Sequence, residues 1–399
     1  MECVQRLVCE HLTYLTVIGL RSRHSSNEGL RYSLVPLGNL GVFRNIHVPQ
    51  TLEARAELIT LSATQANMIS SQASNPNISI VQDSLLAAYL MTKGVVKVRK
   101  SDFQNVSEAA ELNGQTVYTQ DNLQRIRRVL KRFGKKLQAF TGRGLISLIL
   151  PADFNYENKN NVNPDEPTVK IYQGVIYEGT LNKKDIGSAQ NSIIQLLHKD
   201  YGSTVAAEFV NNIQFITNKW LGITGFSVGL EDCMIDQSID PVTGMSKTDQ
   251  IRAEITKCYA KAKGVEQSTH DPEIREIRVN AALNEAKDIG LRIAKDALKA
   301  TNNFNSTVNS GSKGDFFNIA QITGLLGQQN LLGSRVPFMI NHNTRTLVHY
   351  PKNIEDMTEE MEFESRGFVR HPFIHGLNPQ EFFFHAMTGR EGVCDTALG

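Results

Sequence analysis

The side chains that could do chemistry form few recognisable constellations. His371 and His375 stand four apart, a spacing that can put two metal ligands on one helical face, but Pro372 between them breaks such a face. Asp232, Asp236 and Asp240 also recur every four residues. Pro241 and Gly244 follow directly, so turn acids are a simpler reading than a hard-cation site. Ser310-Gly311-Ser312-Lys313-Gly314 has the composition of a phosphate-cradling loop without the Gly-x-x-x-x-Gly-Lys-Ser/Thr spacing, and reads as a turn. His385 follows Phe382, Phe383 and Phe384, where a satisfied core histidine is expected rather than a base. Cys3, Cys9, Cys233, Cys258 and Cys394 contain no Cys-x-x-Cys pair, and an odd, scattered set fits a reducing compartment.

One charged element stands out. Leu123, Ile126, Leu130, Phe133 and Leu137 alternate at spacings of three and four, predicting a helix over Leu123–Leu137. Its other positions carry Arg125, Arg127, Arg128, Lys131, Arg132, Lys135 and Lys136. Such a face is either solvated or turned toward phosphate or a partner.

The elements around these residues are mixed. Helices are expected at Leu52–Leu58, at Asp83–Met91 with Asp83 or Ser84 as cap, and broadly over Ser192–Trp220. Ser70–Asn77, Asp153–Pro167 and Ile239–Gly244 read as loops or turns. Val169–Tyr172 and Val175–Tyr177, flanking Gln173-Gly174, read as strands. A helix over Thr248–Ala262 should stop near Gly264, and a second should start at Asp271-Pro272-Glu273 and fray by Asn302-Asn303. The second would bury Ile274, Ile277, Ala281, Ala286, Ile289 and Ile293, and the short link implies an antiparallel hairpin. With 399 residues, two to three domains are expected, α+β in class. The 42 basic and 41 acidic side chains leave a net charge of +1, so bulk charge argues for neither nucleic acid nor membrane. Met1-Glu2-Cys3 lacks a basic leader, and the apolar run Leu145–Leu150 is far below the ~20 residues that span a bilayer. The chain reads as soluble and intracellular, without membrane partners.

Specific strings carry the reading further. Gln380-Glu381-Phe382-Phe383-Phe384-His385-Ala386-Met387-Thr388-Gly389-Arg390-Glu391-Gly392, continuing to Asp395-Thr396-Ala397, resembles the start of the bridge helix in the largest subunit of multisubunit DNA-directed RNA polymerases, of eukaryotic, archaeal or large-DNA-virus type. Ser310–Gly314, Asn318-Ile319-Ala320-Gln321, Gly327-Gln328-Gln329 and Arg335-Val336-Pro337 resemble the segment before that helix. Asn45-Ile46-His47-Val48-Pro49-Gln50 with Glu53–Glu57, then Ser70–Pro76 with Gln82-Asp83, resemble the stretch after the active-site loop, and Gly225–Gly229 with Asp232 a pore–funnel junction. The strings are collinear.

The resemblance implies a multi-domain order: a non-matching leader (1–44), the end of an active-site domain (45–69), a mixed pore domain (70–230), a helical-hairpin funnel (231–340), and a linker with the start of a long bridge helix (341–399). It also marks departures. The family's three magnesium-binding aspartates would fall at Gly38, Leu40 and Val42, none of which offers an oxygen side chain. Mg2+ for the complete enzyme would then have no ligands in this chain. The bridge helix also stops early and the trigger loop is absent, so a middle slice of the subunit, cut by an intervening element on each side, is expected. An inert or purely structural piece of a split polymerase gene is the alternative.

By the same resemblance, Lys313, Gln328, Gln329 and Arg335 would line the channel through which nucleotides reach the site. Arg390 and Glu391 would anchor the bridge-helix base, and Asp395, Thr396 and Ala397 would approach nucleic acid. Phe382–Phe384 would pack in the core. Implied partners are the other polymerase subunits, especially the second-largest, the DNA template and RNA product, and a cleavage factor at the funnel hairpin. The implied location is a nucleus, or a virion or host cell for a viral chain.

Overall fold

The computed structural model describes residues 48–108, 110–112, 114–135, 139–158, 167–235, 244–296, 298 and 301–398. The leader, Asn45–His47, the positions aligned with the aspartate loop, Cys3, Cys9, Lys136, Leu137, Asp236, Asp240 and most of the 239–244 turn lie outside these residues. The chain is α+β and divides into two compact units. One runs to Phe226 and includes Asn309–Ser312; the other holds Ser227–Val308 and Lys313 onward.

The first unit begins with α1 (Leu52–Thr60), capped by the Thr51 hydroxyl, which accepts from Ala54 N. Helix α2 (Gln82–Thr92) is almost wholly buried. Neither Asp83 nor Ser84 caps it. The cap position is Val81, and Ser84 is buried and donates to Asn218 Oδ1 at 3.0 Å. Helix α3 (Lys100–Ser107), the β1–β2 hairpin (Glu111–Leu112, Gln115–Thr116), α4 (Gln120–Arg132) and α5 (Gly142–Leu148) follow. Strands β3 (Tyr156–Glu157), β4 (Lys170–Tyr172) and β5 (Val175–Glu178) make one antiparallel sheet. Gln173 and Gly174 turn β4 into β5 with positive φ at both positions, as a tight hairpin requires. Strand β3 falls inside the segment expected to be all loop. After α6 (Lys183–Ile186), the helical stretch is two helices, α7 (Ile193–Tyr201) and α8 (Ser203–Thr224), parted at Gly202. Met91, Phe103, Leu145, Ile146 and Phe209 are fully buried in the shared core.

The basic helix ends earlier than its apolar period suggests. Gly134 adopts φ +74, and Lys135 N reaches back to Leu130 O at 2.8 Å, closing α4 at Arg132 in a left-handed cap. Its cations then divide. Arg125 donates to the carbonyls of Ser147 (3.0 Å) and Leu150 (3.2 Å), satisfying the C-terminal end of α5. Arg132 bonds the Tyr172 hydroxyl at 2.9 Å, and Lys135 donates to Tyr177 O at 2.8 Å. Arg127, Arg128 and Lys131 stay exposed.

The second unit is built on α9 (Lys247–Ser268) and α10 (Pro272–Asp296), packed as an antiparallel hairpin. Helix α9 runs straight through Gly264, which a helix tolerates when nothing else ends it. Asp271 caps α10 as expected, accepting from Glu273 N at 2.9 Å. The expected face of α10 holds in its second half, where Ala286 is buried and Ile289 and Ile293 pack against the core, and shifts in its first half. Val279, Ala282, Leu283 and Ala286 meet Ile251, Ile255, Tyr259 and Ala262, while Ile274 and Ala281 are exposed and Ile277 is 70% exposed. Glu276, on the same turn-spaced row as Val279 and Leu283, holds the inward place because it has cations to bind there. Helices α11 (Asn303–Ser310) and α12 (Phe316–Thr323), strand pairs β6–β9 (Gly327–Gln328, Phe368–Val369) and β7–β8 (Asn330–Leu331, Ser334–Arg335), α13 (Glu359–Ser365) and α14 (Pro379–Leu398) complete the unit.

Gly142 opens α5 where a Cβ would stand 2.2 Å from the Met91 carbonyl oxygen. In most helices glycine to alanine is favourable. Here Gly142→Ala should destabilise the chain by about 1–3 kcal/mol through overpacking, read as a lowered urea midpoint with unchanged slope.

Candidate functional site

Strands β6 to β9 of the second unit form a small platform under the first half of α14. Gln328 Nε2 donates to Gln329 O (2.8 Å) and Arg366 O (2.9 Å), and Gln329 Nε2 donates to Gly327 O (3.2 Å). Both glutamines are buried and satisfy backbone groups of the platform. Gln328 Oε1 is buried without a hydrogen-bond partner among the described residues.

Arg335, 4% exposed, is the buried charge beneath them. Its Nε and Nη2 take the two oxygens of Glu276 at 2.8 and 2.7 Å, a bidentate fork, and Nη2 also reaches Glu266 at 3.4 Å. Arg366 adds a second cation, with Nη2 at 3.3 Å from Glu276 and Nε donating to Val336 O. Burial pushes the Glu276 carboxyl up, but the Arg335 hydrogen bonds and the charges of Arg335 and Arg366 outweigh it and hold Glu276 below the usual carboxylate range.

Helix α14 is fixed by one stripe at helical spacing. Glu381 accepts from Asn378 N (2.9 Å) and Arg370 N (3.3 Å) and pairs with His371 Nδ1 at 2.9 Å. Phe384 is 1% exposed and lies parallel to the Tyr350 ring. His385 Nδ1 meets Gln329 Oε1 at 3.1 Å, Thr388 donates to Asn330 O at 3.1 Å, and both Glu391 oxygens receive Leu332 N at 2.9 and 3.1 Å. Positions 381, 384/385, 388 and 391 thus share a face.

Of the residues singled out in sequence, Gln328, Gln329, Arg335 and Glu391 meet on this platform. Lys313 is exposed in the loop between α11 and α12, outside the network. Arg390 is exposed, and Glu391 alone of the two bonds the platform among the described residues. Asp395, Thr396 and Ala397 lie exposed on the far half of α14, where Thr396 Oγ1 only bonds Gly392 O. Phe382 and Phe383 are 62% and 51% exposed, because they point off the anchoring stripe; only Phe384 packs as expected. Asp232 accepts from Gly229 N and Asn303 N, a structural turn acid. Sequence reasoning missed Glu276, Glu266, Arg366 and Thr388, and the pairing of His371 with Glu381. For Glu381 a signal existed: Asn378-Pro379-x-Glu381 is the start of a capping box. Among the described residues no three His, Cys, Asp or Glu side chains converge to hold a metal, so the groups gathered on this platform do not fit a magnesium site.

Residues 67–233 match RNA polymerase Rpb1, domain 3, and residues 259–369 match RNA polymerase Rpb1, domain 4. A probable DNA-directed RNA polymerase II subunit RPB1 homolog of Invertebrate iridescent virus 6 is 40% identical over 377 residues, covering 89% of this chain and 35% of that protein. Two consecutive domains of one subunit define part of a largest polymerase subunit, and the chain belongs to the Rpb1 family. It spans about a third of the length of the curated relative it matches.

Glu276→Gln removes one charge from a buried cluster and leaves Arg335 with Glu266 alone. It should cost about 3 kcal/mol by urea unfolding. Because the folded carboxyl sits below its unfolded value, this contribution is present above the unfolded value near ~4.3 and is lost as pH falls through the folded value. The wild-type and variant stability curves should therefore converge in acid. Glu391→Ala should leave global stability within about 1 kcal/mol but speed hydrogen exchange of the Leu332 amide and of the exposed half of α14.

Proposed function

We propose that this chain contributes the pore and funnel walls and the bridge-helix base of a DNA-directed RNA polymerase, which makes RNA on a DNA template from nucleoside triphosphates. The observation that carries it is α14: its first half is bonded down through Glu381, His385, Thr388 and Glu391, while its far half, with Asp395, Thr396 and Ala397, extends exposed. A helix held at one end can bear on nucleic acid at the other. Gln328, Gln329 and Arg335 form the floor under its base, with Lys313 as an exposed cation at the channel.

In this reading the two glutamines and the Arg335–Glu276 pair are positioning groups that keep the channel floor and helix base in register. The catalytic magnesium is held by carboxylates outside this chain, so the chain acts only within a complex. Its partners are the remaining polymerase subunits, the second-largest first among them, with template and product in the cleft and a cleavage factor at the α9–α10 hairpin. Location follows the source: nucleus for a cellular enzyme, virion or host cell for a viral one.

Co-expression with the other polymerase subunits tests it. The tagged chain should co-purify with the second-largest subunit, and Glu276→Gln should reduce that yield. The chain alone should incorporate no nucleotide on a primed template. Recovery of the chain by itself, or incorporation by it alone, would contradict the proposal.

A further inference from the structure

The basic face of α4 is left unexplained by the polymerase reading, and the structure divides it sharply. Arg125, Arg132 and Lys135 hold carbonyls and a tyrosine hydroxyl within the unit. Arg128 and Lys131 are exposed, and neither side chain has a hydrogen-bond or ion-pair partner among the described residues. Arg127 is exposed and touches the Phe140 ring, its guanidinium 5.7 Å from the centroid. A second set of cations lies on the segment whose backbone pairs with Phe140 and Thr141. The Phe140 carbonyl accepts from Val98 N at 3.0 Å, the Lys97 backbone pairs with that of Thr141, and the Phe140 ring packs on Phe103 of α3. Lys97, Arg99 and Lys100 sit exposed in that neighbouring segment, again without an ion pair among the described residues.

Six exposed cations thus lie on two chain segments that meet at Phe140 and Thr141, in a chain whose net charge is only +1. Asp102 and Asp121 are the acids of the same two helices near them, and neither is bonded to these cations. Protein interfaces centre on buried apolar or aromatic anchors and place charge at the rim. Here Val95 and Phe133 are the large apolar side chains exposed in the neighbouring segments, beside six exposed cations. Three of the six are arginines, whose planar forks match phosphate bidentately.

We infer that this face binds the phosphodiester backbone of a nucleic acid, without reading its sequence. The inference stands on the first unit alone and does not depend on the polymerase reading. Each phosphate neutralised releases counterions, so affinity falls with salt at a slope of about 0.7 per contact for a single strand and about 0.9 for a duplex.

The test is fluorescence anisotropy of the full chain with a labelled 20-nucleotide single-stranded RNA and with a 20-base-pair DNA duplex, over a salt titration. The variant Lys100→Gln/Arg128→Gln/Lys131→Gln should bind more weakly and lose about two units of slope for the single strand. The control Arg252→Gln/Lys257→Gln/Lys261→Gln makes the same change in net charge on α9 and should bind as wild type. Circular dichroism and the urea midpoint confirm that both variants fold. A larger effect on one nucleic acid than the other identifies the source of the backbone. Absence of binding at low salt, an equal loss in the control, an unchanged slope in the patch variant, or displacement of the RNA by poly-glutamate at matched charge each overturns the inference, the last in favour of an acidic protein partner.

Discussion

The second unit depends on one carboxylate. Glu276 projects from the first turns of α10 and receives Arg335 in two hydrogen bonds and Arg366 in a third. Taking three charges out of water costs several kcal/mol per ion unless each is paired with good geometry. The fork on Arg335 meets that condition, and the result ties three elements to one point: the helical hairpin, strand β8, and the turn before β9. Removing Glu276 takes the fork from Arg335 and the ion pair from Arg366 at once. The same requirement explains why Glu276, and not Ile274 or Ile277, takes the inward face of α10 near the hairpin tip.

What this clamp holds in place is the platform, and what the platform holds is α14. Backbone carbonyls of Gly327, Gln329 and Arg366 are closed by glutamine amides, while Gln328 Oε1 and Asn330 Oδ1 stay buried without a partner among the described residues. Gln329 then turns its oxygen to His385, and Asn330 and Leu332 present a carbonyl and an amide to Thr388 and Glu391. The helix is bonded at its base along one face and exposed along the others. The buried and half-buried cations Arg125, Arg143, Arg335 and Arg366 are committed to internal acids and carbonyls, while Arg127, Arg128 and Lys131 of α4 stay exposed.

Much of this was legible in the sequence, for reasons that can be named. The Asp271-Pro272 start of α10, the β4–β5 turn and the amphipathic period of α4 are local signals, and they appear as expected. The early stop of α4 was hidden because Gly134 interrupts an apolar period that continues to Leu137. The extent of α9 was misjudged because a lone glycine does not end a helix whose faces are still packed. The ion-pair cluster was invisible, since Glu266, Glu276, Arg335 and Arg366 are far apart in the chain and only the folded hairpin brings them together. Collinear strings identified the family where composition and spacing reached no further than an α+β protein. Those strings flagged Gln328, Gln329, Arg335 and Glu391, yet they gave no means of seeing that Arg390, Phe382 and Phe383 face away from the anchoring stripe.

Helix α14, held at its base, should meet nucleic acid at its far half. A photo-crosslinking residue placed at Ala397, and separately at Phe382, in the assembled and template-engaged complex probes this contact at both ends of the helix. Crosslinks to template or RNA are expected from position 397 and none from position 382. Equal crosslinking from both, or none from 397 in a complex that is making RNA, would contradict a helix anchored at one end and working at the other.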